Sequence, residues 1–182
     1  MLHLKNITTD HSFYQNAEAL LHESFPPEER RDDSLQRQYT DHHPMFNTLL
    51  ITDDEKSEPF IGVITIWDFG SFIFAENFAT TPACRNQGYG KRIMEKLLEQ
   101  AEGRLVVLEV ERPEDEMSKR RIGFYQRCGF KLCLEAYMQP PYHPGDELLP
   151  LYIMYHGAED ITDNFQHIKA TIYKEVYHYM EQ

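Results

Sequence analysis

The seven residues Arg85-Asn86-Gln87-Gly88-Tyr89-Gly90-Lys91 combine side-chain types and spacing that could hold an anion. Gly88 and Gly90 remove two Cβ atoms where a phosphate would approach the main chain, while Arg85 and Lys91 bring positive charge to the same place. The loop leads into a helix, whose first N–H groups lack intrahelical partners and whose dipole adds partial positive charge. This is the chemistry of a diphosphate cradle; a simple tight turn before a helix is the plain alternative. Two other phosphate motifs fail on spacing. A dinucleotide fingerprint needs a third glycine where this chain has Ile93, and a P-loop needs four residues between its first glycine and Gly-Lys-Ser/Thr.

The elements that must position this loop are a strand before it and a helix after it. Phe72, Ile73, Phe74, Phe78 and Ala79 lie between Gly70 and Pro82 and predict a strand over Ser71 to Ala79. From Tyr89 to Ala101 the stripe Gly90, Ile93, Met94, Leu97, Leu98 and Ala101 opposes Lys91, Arg92, Glu95, Lys96, Glu99 and Gln100, which predicts an amphipathic helix.

Upstream, Leu2 to Ile7 alternates as a first strand, and Asp10 is placed to cap a helix carrying Phe13, Ala17, Leu20 and Leu21. Pro26 and Pro27 suit the first turn of a second helix, with Glu28 and Glu29 at its positive end and Arg30 to Asp33 as a solvated face. Phe46 to Thr52 and Phe60 to Trp67 form a hairpin about a polar turn. The pair His42-His43 has no third ligand at metal spacing, so no metal is assigned.

Downstream, Leu105 to Leu108 reads as a strand buried on both faces and parallel to its predecessor. Pro113 opens a helix carrying Met117, Phe124, Tyr125 and Cys128, which Gly129 ends. Phe130 to Leu134 and Leu151 to Tyr155 are further strands, separated by a proline-rich loop. Asp160 or Thr162 caps a last helix with Ile161, Phe165, Ile168, Ile172 and Val176 on one stripe. It closes the chain as an arm over residues 160–182, with packing on the sheet as the default. Together these elements predict one domain over residues 1–182 with a mixed sheet.

A chain of 182 residues can bury one substantial core. Its net charge of −12 and pI near 5.1 argue against nucleic acid and favour a cationic partner. Three cysteines, with no paired spacing, suggest neither a disulfide framework nor a zinc site and fit a reducing cytoplasm. No apolar run approaches the ~20 residues of a membrane span, so no membrane partner is expected.

The Arg-x-x-Gly-x-Gly loop between an aromatic strand and an amphipathic helix is followed by Ile122-Gly123-Phe124-Tyr125-Gln126-Arg127-Cys128-Gly129-Phe130. In this order, the two motifs resemble the GNAT superfamily of acyl-CoA-dependent N-acetyltransferases over roughly Leu2 to Tyr155. The resemblance implies an α/β fold of α+β type: a twisted, mostly antiparallel sheet with a central splayed parallel pair and helices on both faces. It implies acetyl-CoA as cosubstrate, with pyrophosphate contacts on Arg85, Asn86, Gln87, Gly88, Tyr89, Gly90 and Lys91. Its pantetheine contacts fall on Phe78, Ala79 and Thr80. Tyr125 matches the tyrosine that protonates the departing thiolate. Ser118 and Arg121 stand where many members carry Asn and Ala, which leaves cofactor contacts from that helix open.

Acetylating an amine also requires a proton acceptor, since an alkyl ammonium with pKa near ~10.4 is protonated at neutral pH. Glu109, at the C-terminal end of the parallel strand, and Glu76, on the strand entering the loop, are both candidates. A free backbone N–H near Phe78 could stabilise the oxyanion if the strand is bulged there. The acceptor cleft is expected between Phe25 to Arg31 and the Gln139 to Leu149 loop bearing Tyr142 and His143. The expected acceptor is a small cationic amine, and a homodimer stays open. A non-catalytic acyl-CoA sensor of the same fold is the main alternative, and an unrelated nucleotide-binding domain the third.

Overall fold

Apolar-rich runs give the first half of the chain four antiparallel strands. In the computed structural model, which describes residues 1–182, β1 (Leu2–Ile7) pairs with β2 (Phe46–Asp53), β2 with β3 (Phe60–Asp68), and β3 with β4 (Phe72–Thr80). Between β1 and β2 lie helices α1 (Tyr14–Ser24) and α2 (Asp33–His42). Helix α3 (Tyr89–Ala101) then crosses to β5 (Leu105–Glu111), which pairs with β4 in parallel. After α4 (Glu116–Arg127) come β6 (Lys131–Gln139), β7 (Leu149–His156) and α5 (Phe165–Glu175). The seven-stranded sheet runs in the order β1-β2-β3-β4-β5-β7-β6, with β4–β5 as its parallel pair.

That pair is short. β4 and β5 are in register only from Phe72–Leu105 to Ala75–Leu108. Beyond it, β4 stays bonded to β3 as far as Thr80, and β5 to β7 as far as Glu111. The sheet is therefore two half-sheets that part company after Ala75 and Leu108.

The two faces are buried by different helices. On one, Ile93, Met94, Leu97 and Ala101 of α3 and Ile122 of α4 pack against Ile64, Ile66, Ile73, Val106 and Leu108. On the other, Phe165, Ile168 and Ile172 of α5 and Tyr39 of α2 meet Phe46, Trp67, Phe74, Val107, Tyr137 and Ile153. Each large side chain buried in this way contributes about 1.5–3 kcal/mol. α1 covers the β3–β4 pair through Ala17, Leu20, Leu21, Val63 and Ala79.

Several local expectations are corrected. Asp10 does not cap α1; it bonds Thr8, and Phe13 occupies the cap position without a side-chain hydrogen bond. Pro27–Glu29 makes only one 3-10 turn, and the chain is extended again at Arg30. The cause is tertiary: Arg31 is drawn into the core, so α2 starts later, at Asp33. Pro113 lies before α4, which Asp115 caps by accepting from the Ser118 N–H at 2.8 Å. β5, β6 and β7 all run longer than their apolar cores indicated. The C-terminal residues pack on the sheet, as the default reading had it: Ile161, Phe165, Ile168, Ile172, Tyr173, Val176 and Tyr177 are all buried.

Gly62 sits where β3 crosses close to β4, and a Cβ there would lie 2.3 Å from the Ala79 carbonyl oxygen. Gly62→Ala is expected to cost about 2–3 kcal/mol, which at this chain length lowers Tm by roughly 5–10 °C. Parent-like thermal melting would show that the strands can separate freely at this point.

Candidate active site

Arg85 to Lys91 form a loop that the sequence makes bend sharply. Asn86 has φ +60° and Gly88 φ +79°, left-handed values that glycine adopts freely and asparagine tolerates. The two glycines do different jobs. A Cβ at Gly88 would meet nothing, so its role is the backbone turn, whereas a Cβ at Gly90 would come within 3.1 Å of the Phe124 ring. Gly90 thus lets α4 pack against the start of α3.

The Arg92 N–H reaches back to the Gly88 carbonyl at 3.4 Å, so the N–H groups of Tyr89, Gly90 and Lys91 precede the first intrahelical bond. They face a groove lined by Thr80, Arg85, Asn86, Gly88, Lys91, Arg120, Arg121 and Phe124. Four cations on one wall of an acidic protein suit an anionic ligand. The side chain of Tyr89 turns away from the groove and donates to Asp53 at 2.7 Å, tying α3 to the end of β2. Of Tyr89, only the main chain can serve a ligand here. Ser118 is committed as well, donating to Glu111 at 2.9 Å.

On β4, the register slips between Thr65–Asn77 and Ile66–Ala75, leaving Glu76 as the extra residue of a bulge. The irregularity thus lies two residues before Phe78. Glu76 and Glu109 are the residues immediately after the last β4–β5 pair, so they stand at the opening of the splay.

The two glutamates have opposite surroundings. The Glu76 side chain is fully buried and bidentate with Arg31, whose second contact is 3.0 Å. It also accepts from Tyr142 at 2.9 Å and Trp67 Nε1 at 3.3 Å. The Arg31 guanidinium lies 5.1–5.7 Å from the ring centres of Tyr39, Phe46, Trp67 and Tyr142, a cation–π environment. Arg31, read from sequence as part of a solvated charged face, is instead a core residue 5% exposed.

Glu109 has no cation. Its Oε2 accepts from the Tyr137 hydroxyl at 2.6 Å; its Oε1 accepts from the Tyr177 hydroxyl at 2.6 Å and from Gln139 Nε2 at 3.1 Å. Burial pushes its carboxyl up to about 7, the three donors holding it lower than burial alone would, and Glu76 adds a further upward push. Of these donors, the sequence points only to Gln139, as the start of the loop expected to wall the acceptor cleft. Tyr177 lies 68 residues away from Glu109, and no spacing rule links the two.

Glu76, Glu109, Asn77, Glu29, Glu111, Phe25 and Tyr142 line a second cleft, and Arg121, 3.8 Å from Glu111, lines both it and the basic groove. Burial first, then Glu111 and Glu28, raise the Glu29 carboxyl. His143 braces the proline-rich loop against the Phe25–Arg31 segment through the Pro27 and Arg30 carbonyls at 2.9 and 3.0 Å. Tyr125 on α4 packs against Phe124 and Phe130, with ring centres 5.1 and 5.7 Å away. Burial pushes its phenol up to about 12, with Arg121 opposing.

A basic groove and an acidic cleft meeting at a splayed parallel pair can bring an anionic cofactor to a cationic acceptor. The model of the GNAT acetyltransferase family matches residues 12–130. The chain belongs to that family. A GNAT-family acetyltransferase assigned in Bacteroides thetaiotaomicron shares 49% identity, with a TM-score of 0.91 over 96% of this chain and 98% of that one. Two more distant structures share the fold. A spermidine N-acetyltransferase variant of Vibrio cholerae has 13% identity and a TM-score of 0.64 over 85% of this chain and 92% of its own. A Bacillus subtilis acetyltransferase in complex with CoA has 14% identity and 0.56 over 85% and 95%. No curated protein matches the chain in sequence. The seven-stranded mixed sheet with its central parallel pair is the GNAT fold expected from the two motifs.

Two stability predictions follow from the paired glutamates of this GNAT chain. Arg31→Met leaves Glu76 buried without its cation and is expected to cost about 3–5 kcal/mol; adding Glu76→Gln should recover much of it. Denaturant melts of both variants check this, and an unchanged midpoint for Arg31→Met would refute it. For Glu109, the folded carboxyl near 7 lies above the ordinary 4.5. The native state therefore binds the extra proton between those values, and stability falls as pH rises from ~4.5 to ~7. Glu109→Gln should accordingly gain stability over the parent at pH 8 relative to pH 5, by on the order of 3 kcal/mol. An equal difference at both pH values would contradict the shift.

Proposed function

We propose that the protein transfers an acetyl group from acetyl-CoA to a primary amine of a small cationic acceptor, by direct attack in a ternary complex. The observation that carries this reading is the placement of Glu109. It stands at the mouth of the splay between the basic groove and the acidic cleft, with its carboxyl near neutrality. A base with a pKa near the working pH is the most effective one.

The cofactor's pyrophosphate is assigned to the main chain of Arg85, Asn86, Gln87, Gly88, Tyr89, Gly90 and Lys91. Arg85, Lys91, Arg120 and Arg121 supply surrounding charge. The thioester arm then lies along Phe78, Ala79 and Thr80, where β4 has lost its parallel neighbour and its facing edge needs main-chain partners. The acceptor enters from the cleft of Glu29 and Glu111, where the carboxylates outnumber Arg121 and favour an ammonium. Glu109, directly or through a water, takes the proton that the amine loses on attack.

Of the two carboxylates considered, Glu109 is the better base. Glu76 is paired with the Arg31 cation, where Glu109 meets only neutral donors, so the part of Glu76 is to fix the bulge and the Tyr142 loop. The Tyr125 hydroxyl has no partner within the chain, which leaves it available to the departing sulfur. Against a thiol of pKa ~8.5, a phenol near 12 donates a hydrogen bond more readily than a whole proton.

The test is CoA release from acetyl-CoA in the presence of a panel of small amines, with Tyr125→Phe beside the parent. Amine-dependent release is expected, with kcat reduced roughly 10–100-fold in Tyr125→Phe and KM for acetyl-CoA little changed. CoA binding with no release for any amine would favour the sensor reading. Absence of CoA binding would defeat the cofactor assignment itself.

A further inference from the structure

Tyr177 lies beyond the end of α5, yet its hydroxyl reaches the carboxylate at the centre of the sheet. We propose that Tyr177 is a positioning residue for the reaction: by donating to Glu109 it fixes the carboxylate's orientation and sets the pH at which Glu109 can accept a proton. This rests on the assignment of Glu109 as base.

The geometry is a closed triangle. Gln139 Nε2 donates both to the Tyr177 oxygen at 3.1 Å and to Glu109 Oε1 at 3.1 Å, while the Tyr177 hydroxyl donates to that same Oε1 at 2.6 Å. A phenol that accepts one bond while donating another is polarised toward stronger donation. Tyr137 takes the other oxygen, Oε2. With both oxygens held from the α5 side of the sheet, the carboxyl group has one orientation.

Tyr177 can do this because the terminal segment is itself anchored. His178 turns the chain with φ +52°, and the Tyr39 hydroxyl meets its Nε2 at 2.7 Å. The Tyr179 N–H returns to the Tyr173 carbonyl at 2.9 Å. The Tyr142 ring packs edge-on to Tyr177 with centres 5.1 Å apart. Together these contacts fix the terminal segment and, with it, the Tyr177 hydroxyl.

Every element around Glu109 has a say in its charge. β6 contributes Tyr137 and Gln139, α5 and its tail contribute Tyr173 and Tyr177, and the proline-rich loop contributes Tyr142. β4 contributes Glu76, whose own charge is matched by Arg31. Burial and Glu76 disfavour the carboxylate, and the hydroxyl donors favour it. Losing the Tyr177 hydroxyl must therefore raise the proton affinity of Glu109.

The experiment compares pH profiles of kcat/KM for the parent, Tyr177→Phe and Glu109→Gln, using the best amine of the panel. Alongside it, Glu109 is titrated directly by carbon NMR of carboxyl-labelled glutamate, its resonance being the one missing in Glu109→Gln. In Tyr177→Phe both the acidic limb and the NMR midpoint are expected about one pH unit above the parent. That is roughly tenfold in rate below pH 7, with parent-like rates recovered at pH 9. An unmoved limb and midpoint, or a rate loss equal at every pH, would overturn the role of Tyr177 while leaving Glu109 as base. Glu109→Gln with parent-like turnover at every pH would instead overturn the base assignment, and the catalytic role of Tyr177 with it.

Discussion

Main-chain pairing between β4 and β5 ends at Ala75 and Leu108, while each strand remains bonded to its other neighbour. Most of what is distinctive about this molecule depends on that early ending. A sheet whose central parallel strands stay together would present a closed surface of satisfied hydrogen bonds. Here two edges face one another across a widening gap, and backbone groups that have left a ladder must find other partners. The basic groove and the acidic cleft both lie at this gap and share Arg121 in their walls. A bulge on β4 and an unbroken β5 put Glu76 and Glu109 at its mouth.

The two glutamates show how little residue type says about role. They occupy equivalent places on neighbouring strands, and both lie at the floor of one cleft, largely shielded from water. Arg31 meets one with a full positive charge inside a ring of aromatic faces, and the pair becomes part of the scaffold. Neutral hydroxyls and an amide meet the other, which leaves the cost of burying its charge only partly offset and brings its proton affinity close to neutrality. Divergent environments for two nearby acids separate a structural group from one able to exchange a proton. Arg31 also explains a feature of the backbone. The chain cannot continue as helix after Pro27–Glu29 because the arginine two residues later has to reach the sheet.

The aromatic residues of the α5 face have a second use besides filling volume. Tyr137, Tyr142 and Tyr177 all turn their hydroxyls toward the two carboxylates, so one layer of rings both excludes water and delivers donors. On the opposite face the packing is mostly aliphatic, and there the important contact is Phe124 against Gly90. It seats α4 beside the Arg85–Lys91 loop and places Arg120 and Arg121 on the groove wall.

Short-range patterns in the sequence were enough for the strands, for α3 to the residue, for the Gly88 turn and for the family, because each rests on neighbours within a few positions. The order of the two motifs brought the splayed sheet with it. Sequence marked Glu109, Glu76 and Tyr125 as groups worth attention but held no information on what surrounds them. Arg31 and Glu76 are 45 positions apart, and Glu109 and Tyr177 are 68 apart. An isolated Tyr177 reads as one more apolar-stripe neighbour on a terminal helix, and Arg31 as one more surface charge. Only the packed fold could decide which carboxylate meets a cation and which meets hydroxyls, because burial and proximity across the sheet are properties of the tertiary arrangement and of no local stretch of chain.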